Sequence, residues 1–235
     1  MLTWTKGLIA GLALAAAGSA ASAASMNLTI TGPSAGSSFS NNATVTAAPV
    51  PLSGGALPRA VVSMGQKATD GLKNFIVWCV DLSNWSAPVG QSYQYTATSA
   101  PFADYAISNA QLARLQQGFN ANYAGVMGST TDAVTKHAAF QLAVWELLYD
   151  NDYSLATGAF KAQGTAAVNT AAAAFLTAAQ SYVGPQAWKL TYLESANDAK
   201  QNYVTAELAP VPLPAAGLLL LAGLGGFAAL RRRKG

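Results

Sequence analysis

Cysteine and histidine each occur once in 235 residues, as Cys79 and His137, and charged side chains make up 10% of the chain. A single cysteine excludes an intrachain disulfide. One His and one Cys, without clustered carboxylates, are too few ligands for a metal site. No metal and no cofactor is therefore expected. Internal repeats are absent, which excludes solenoids and propellers. The formal charge of +3 does not point to nucleic acid. Lys6, Arg231, Arg232, Arg233 and Lys234 lie in the terminal segments, leaving eight basic residues against ten acidic ones in the body. No basic patch with interleaved aromatics is present, so no nucleic-acid partner is expected.

What is there begins at the two ends. Residues 1–24 read as a secretory signal peptide: Lys6 in the n-region, the apolar run "GLIAGLALAAAG", then a small-x-small cleavage site at Ala21-Ser22-Ala23. The run is shorter than the ~20 residues of a bilayer span. The C-terminus has three parts in order: "VPLPA", the uncharged "AGLLLLAGLGGFAAL", and "RRRKG". The basic cluster stays cytoplasmic by the positive-inside rule, which places the body outside the inner membrane. Val211, Pro212, Leu213, Pro214 and Ala215, followed by the apolar run and the Arg cluster, resemble the PEP-CTERM class of sorting signals in its VPLPA variant. The resemblance implies an exosortase-type processing protease and a Gram-negative bacterium that makes a biofilm or exopolysaccharide matrix. It also implies anchoring in the inner membrane through the short transmembrane segment before processing, then residence at the cell surface or in the extracellular matrix. The expected organisation is a signal peptide over 1–24, an exported domain over 25–208, and a sorting segment over 209–235.

Within the body, residues 31–60 are rich in Gly, Pro, Ser and Asn and read as loops around short strands such as 43–47. Strands are predicted at 59–64, 72–82, 91–98, 187–195 and 201–208. The run "LKNFIVWCVDL" is the most β-like, with Cys79 near its end. Helices are predicted at 108–126 with Ser108 as N-cap, at 130–150 with Thr131 or Asp132 near the start, and at 164–183. Strands, then three helices, then strands make an α+β fold: an antiparallel β-sheet or sandwich with an inserted three-helix block.

The second helix carries an anomaly. In "HAAFQLAVWELLYD", residues 137–150, Val134, Ala138, Trp145 and Leu148 fall on one face at helical spacing. Gln141 falls on the same face, and a buried carboxamide without partners costs about 1–3 kcal/mol. Cys79 is awkward for its own reason, because an exported thiol meets an oxidising compartment. One reaction removes both groups. The Cys79 sulfur attacks the Gln141 carboxamide carbon, ammonia leaves, and an internal thioester remains. That product is an acyl donor to an external amine, hydroxyl or water.

"FIVWCVDL" and "AAFQLAVWELLYD" resemble the paired motifs of Cys-Gln thioester domains on bacterial surface adhesins. The matching residues are Trp78-Cys79 and Phe140-Gln141-Leu142-Ala143-Val144-Trp145, within a region of roughly 60–155. The resemblance implies a Cys79–Gln141 thioester aimed at a nucleophile on a protein or polysaccharide partner, for adhesion or matrix attachment. It implies one covalent event and not enzymatic turnover. The known adhesins are mostly attached to Gram-positive walls, whereas this tail is of Gram-negative type.

His137, one turn before Gln141, is a candidate proton shuttle, with a solvent-facing or capping imidazole as the plainer reading. Trp78 and Trp145 are expected to shield the site. Glu146 and Asp150 are expected on the solvated face, and Asp81 is expected to fix a turn. Two other readings stand beside the thioester: a cysteine hydrolase using Cys79, His137 and a carboxylate such as Asp150, and a structural matrix protein with an inert buried Cys79.

Overall fold

The computed structural model describes residues 24–40, 42–99, 107–196 and 200–210. The expected signal peptide, apart from its last residue Ala24, and the expected sorting motif and tail from Val211 onward lie outside the described residues. The elements run β1 (Ala24–Pro33), β2 (Ala43–Ala47), β3 (Arg59–Val61), β4 (Gln66–Thr69), β5 (Asn74–Cys79) and β6 (Ser92–Thr98), then α1 (Asn109–Met127) and α2 (Ala133–Tyr149). They end with β7 (Lys161–Gly164), α3 (Ala166–Gln180), β8 (Trp188–Ser195) and β9 (Tyr203–Leu208).

The expected α+β class is present. The sheet is a closed antiparallel barrel in the order β1-β4-β5-β9-β8-β6, and a separate small sheet has the order β3-β2-β7. Closure removes the unpaired edges that an open sheet would leave. The strands β1, β4 and β7 were not expected. The last of these interrupts the helical block between α2 and α3 and pairs with β2, with Thr44 opposite Gln163. Short strands of this kind carry too few residues to show a two-residue period.

Helix α1 starts as the sequence predicts. Ser108 accepts from Gln111 N, and Ser108 N donates to Gln111 Oε1, closing a capping box. Helix α3 is capped by Thr165, whose side chain accepts from Val168 N. Helix α2 differs. Asp132 precedes it in a left-handed conformation and makes no side-chain cap bond. Its residues from His137 to Leu148 are all buried, because α1, α3, β5 and β7 all pack on it. A helix buried on every side has no solvated face in that stretch. Val134, expected on the apolar face, is instead half exposed.

The C-terminal half of β5 is likewise buried on both sides. Side chains alternate across a strand. Val77 and Cys79 join one apolar cluster with Leu28, Ile30, Leu142 and Trp145. Trp78 and Val80 join a second with Phe119, Phe140 and Leu148 from the helices. The Trp78 ring stands edge-on to Phe140 at 4.8 Å between centroids. Behind it lies Gly65, where an added Cβ would come within 2.9 Å of both Ser34 Oγ and the Trp78 ring. A rigid indole cannot fold away from that contact. Gly65→Ala is expected to lower stability by about 1–3 kcal/mol, read as a shifted midpoint in urea unfolding; an unchanged midpoint would mean that the loop yields freely.

Candidate functional site

The site forms where β5 outruns its neighbour. On one side Cys79 lies opposite Tyr203 of β9, and Val80 N donates to Asn202 O at 3.0 Å. On the other side β4 begins at Gln66, which pairs with Val77. Beyond that point the backbone of β5 has no strand partner from β4. The Gln141 side chain takes the vacant place. Cys79 N donates to Gln141 Oε1 at 2.9 Å, and Gln141 Nε2 donates to Cys79 O at 2.8 Å. One carboxamide thus satisfies the donor and the acceptor of one backbone residue. This resolves the packing anomaly of α2, since Gln141 is fully buried yet paired at both ends.

The sulfur belongs to the residue that grips the carboxamide. The Cys79 thiol donates to Asp81 O at 2.8 Å. Burial pushes its pKa well above the usual thiol range, and the Asp81 carboxylate adds to that effect. The Asp81 backbone and the Trp145 indole act in the opposite direction. The Trp145 N–H is buried and makes no hydrogen bond of its own. Asp81 fixes a turn, as expected: its Oδ1 accepts from Ser83 N and Oγ, and its Oδ2 from Asn84 Nδ2. Tyr149 Oη donates to Val80 O at 2.9 Å and ties the end of α2 to the end of β5.

A cavity of about 370 Å³ opens onto Cys79 and Trp145, walled by Leu52, Met64, Arg59 and Trp85 among others. Arg59 stacks over Trp85 at 5.1 Å and donates to Gly54 O, so its charge is held at the wall. Trp85 is 59% exposed. Cys79 lines this cavity although its side chain is buried.

Three expected placements are corrected. His137 is not solvent-facing, and its contacts are with Ser34 and Trp78. It is 4% exposed, packs against Trp78 on the other face of β5, and meets Ser34 Oγ with Nδ1 at 2.6 Å. Burial holds its pKa below the usual range, against a smaller opposing pull from the Val126 backbone. Glu146, expected on the solvated face, is fully buried, because the loop after α2 folds back over it. Asp150 faces that loop, accepting from the backbone N–H groups of Asn151, Ala159 and Phe160. The members of a Cys79–His137–Asp150 triad are therefore not brought together. The expectation that carboxylates do not cluster is corrected too: Glu146, Asp150 and Asp152 converge. Their proximity was visible in sequence only as spacings of four and two residues, which surface acids commonly show.

No protein-family model matches the chain, and no curated protein matches it in sequence. Among solved structures it is similar to the N-terminal domain of the Streptococcus pyogenes pilus tip adhesin Cpa, at 18% identity and a TM-score of 0.46, over 76% of this chain and 99% of that one. It is also similar to the N-terminal thioester domain of the fibronectin-binding protein SfbI from Streptococcus pyogenes, at 16% identity and a TM-score of 0.43, over 72% and 95% of the two chains. A third is the N-terminal thioester domain of a surface protein from Clostridium perfringens, at 10% identity and a TM-score of 0.40, over 72% and 99%. Among the described residues no helix is long and apolar enough to cross a membrane.

Proposed function

We propose that this chain is an exported surface protein in which Cys79 and Gln141 condense into an internal thioester that attaches once to a partner. The observation that supports it is the double hydrogen bond between the Gln141 carboxamide and the backbone of Cys79. In formation, the Cys79 sulfur bonds to the Gln141 carbonyl carbon, and the bond from that carbon to Nε2 breaks. Ammonia leaves carrying the thiol proton. Negative charge develops on Gln141 Oε1, where the Cys79 N–H already donates, so the oxyanion donor is preorganised. In attachment, an amine or hydroxyl of the partner attacks the same carbon, the carbon–sulfur bond breaks, and the nucleophile's proton restores the thiol. Each molecule acts once and is not turned over. Before that event, the tail motif Val211–Ala215 and its apolar run hold the chain in the inner membrane until an exosortase-type protease releases it for adhesion or matrix attachment.

The same hydrogen bonds support a second reading, a structural matrix protein in which Gln141 pairs with a strand and Cys79 stays an inert buried thiol. The intact mass of the chain purified from its own host separates the two. The thioester form is lighter by one ammonia, and methylamine adds its own mass while exposing one thiol. A full-mass chain whose thiol reacts only after denaturation establishes the inert reading. A chain heavier than the thioester form by one water, with a free thiol, marks a thioester that formed and then hydrolysed.

A further inference from the structure

We infer that Glu146, Asp150 and Asp152 form a binding site for a calcium-like divalent cation at the C-terminal end of α2. One oxygen from each carboxylate lies within 4.8 Å of the others. The independent sign of a ligand is Glu146 itself. Its carboxylate is fully buried; Oε1 accepts from Ser154 N at 3.2 Å, while Oε2 has no hydrogen-bond partner. A buried ionised carboxylate without a counter-charge is unstable, so it must take either a proton or a cation.

The surroundings favour the cation. Asp150 and Asp152 are progressively more open to solvent, which leaves an approach from outside. The loop is folded around their oxygens. Asp152 Oδ1 accepts from Ser154 N, its Oδ2 accepts from Thr157 Oγ1, and a Cβ at Gly158 would run into Asp150 Oδ2. The carboxylates meet at a helix C-terminus, where the helix dipole is also negative. Asp152 and Asp150 add negative charge beside the buried Glu146 carboxyl, and the Ser154 N–H donates to it. The cation on the neighbouring helix, Arg114 of α1, gives its Nε to Leu147 O.

The donor set is all oxygen and selects a hard cation. Three carboxylates from the last turn of α2, its C-cap and the loop beyond, completed by water, suit calcium, which accepts flexible geometry, over magnesium, which demands a near-ideal octahedron. Affinities of roughly 10⁻⁴–10⁻³ M are usual for extracellular calcium modules. Binding would pin the loop that carries Phe160, which packs on Trp145, against the helix that carries Gln141. The inference does not depend on whether the thioester forms.

Terbium luminescence and thermal unfolding of the full-length chain test it. Terbium emission, sensitised through the neighbouring Tyr153, should saturate at one site and be displaced by calcium. The midpoint of unfolding should rise with millimolar calcium and respond less to equal magnesium. Glu146→Gln should weaken calcium binding by about tenfold or more, since ligand charge sets affinity. Should that variant fail to fold, Asp152→Asn on the exposed rim provides the same readout. The inference is overturned if terbium emission does not saturate, or if the unfolding midpoint ignores calcium. Terbium binding by Glu146→Gln as tight as that of the parent chain would also overturn it.

Discussion

Gln141→Leu should abolish methylamine capture and lower the stability of the chain by about 2–6 kcal/mol. The apolar side chain leaves both the N–H and the C=O of Cys79 buried without partners, at about 1–3 kcal/mol each. Cys79→Ser is the informative companion. It removes the sulfur nucleophile but keeps the backbone groups that Gln141 holds. Methylamine capture should vanish while stability falls by less than about 1.5 kcal/mol, the scale of one hydrogen bond to the Asp81 carbonyl. Denaturant unfolding and intact mass, measured together on both variants, read the two effects separately. Equal stability of Gln141→Leu and the parent chain would contradict the strand-like role of the carboxamide. Methylamine capture that persists in Cys79→Ser would remove Cys79 from the chemistry.

Trp78→Ala should cost about 3–5 kcal/mol, the range for deleting a large buried aromatic side chain. Trp78 is fully buried and joins the barrel to the helices. Its ring touches Phe140 and His137 of α2 and Tyr123 of α1. Its neighbour in sequence is Cys79, so loosening this joint also loosens the geometry that brings Gln141 to the strand. Unfolding by urea should show the loss in midpoint, and amide hydrogen exchange should show α2 opening before the strands β1 and β6. A cost below about 1 kcal/mol would mean that the helical block is held by α1 and α3 alone.

The sequence exposes a good deal of this arrangement. Ser108 and Gln111 stand at capping-box spacing, and the helix begins there. "FIVWC" is dense in β-branched and aromatic residues, and it forms a barrel strand. Gln141 sits on an apolar face, and helical periodicity alone marks it as out of place there. These features are local: each depends on residues within one or two turns of chain, so a one-dimensional pattern contains them.

Other features depend on what arrives from far away in the chain. Glu146 looks like a surface residue until the loop through Ser154 closes over it. His137 looks available to Gln141, one turn on, until Ser34 and Trp78 take it to the other face of β5. The strands β4 and β7 are too short for a period and exist because β5 and β2 offer them edges.

The sequence by itself determined the α+β class, the helix starts, and the pairing of a lone cysteine with a conspicuous glutamine. Only the tertiary structure decided how that pair meets. Where β4 stops short, the backbone of Cys79 is left with a free donor and a free acceptor, and a buried strand edge must be satisfied by whatever side chain the fold delivers. Here α2 delivers the Gln141 carboxamide, a group with one acceptor and one donor at the right separation. The sequence names both residues, but the unfilled hydrogen bonds that join them exist only after the barrel has closed.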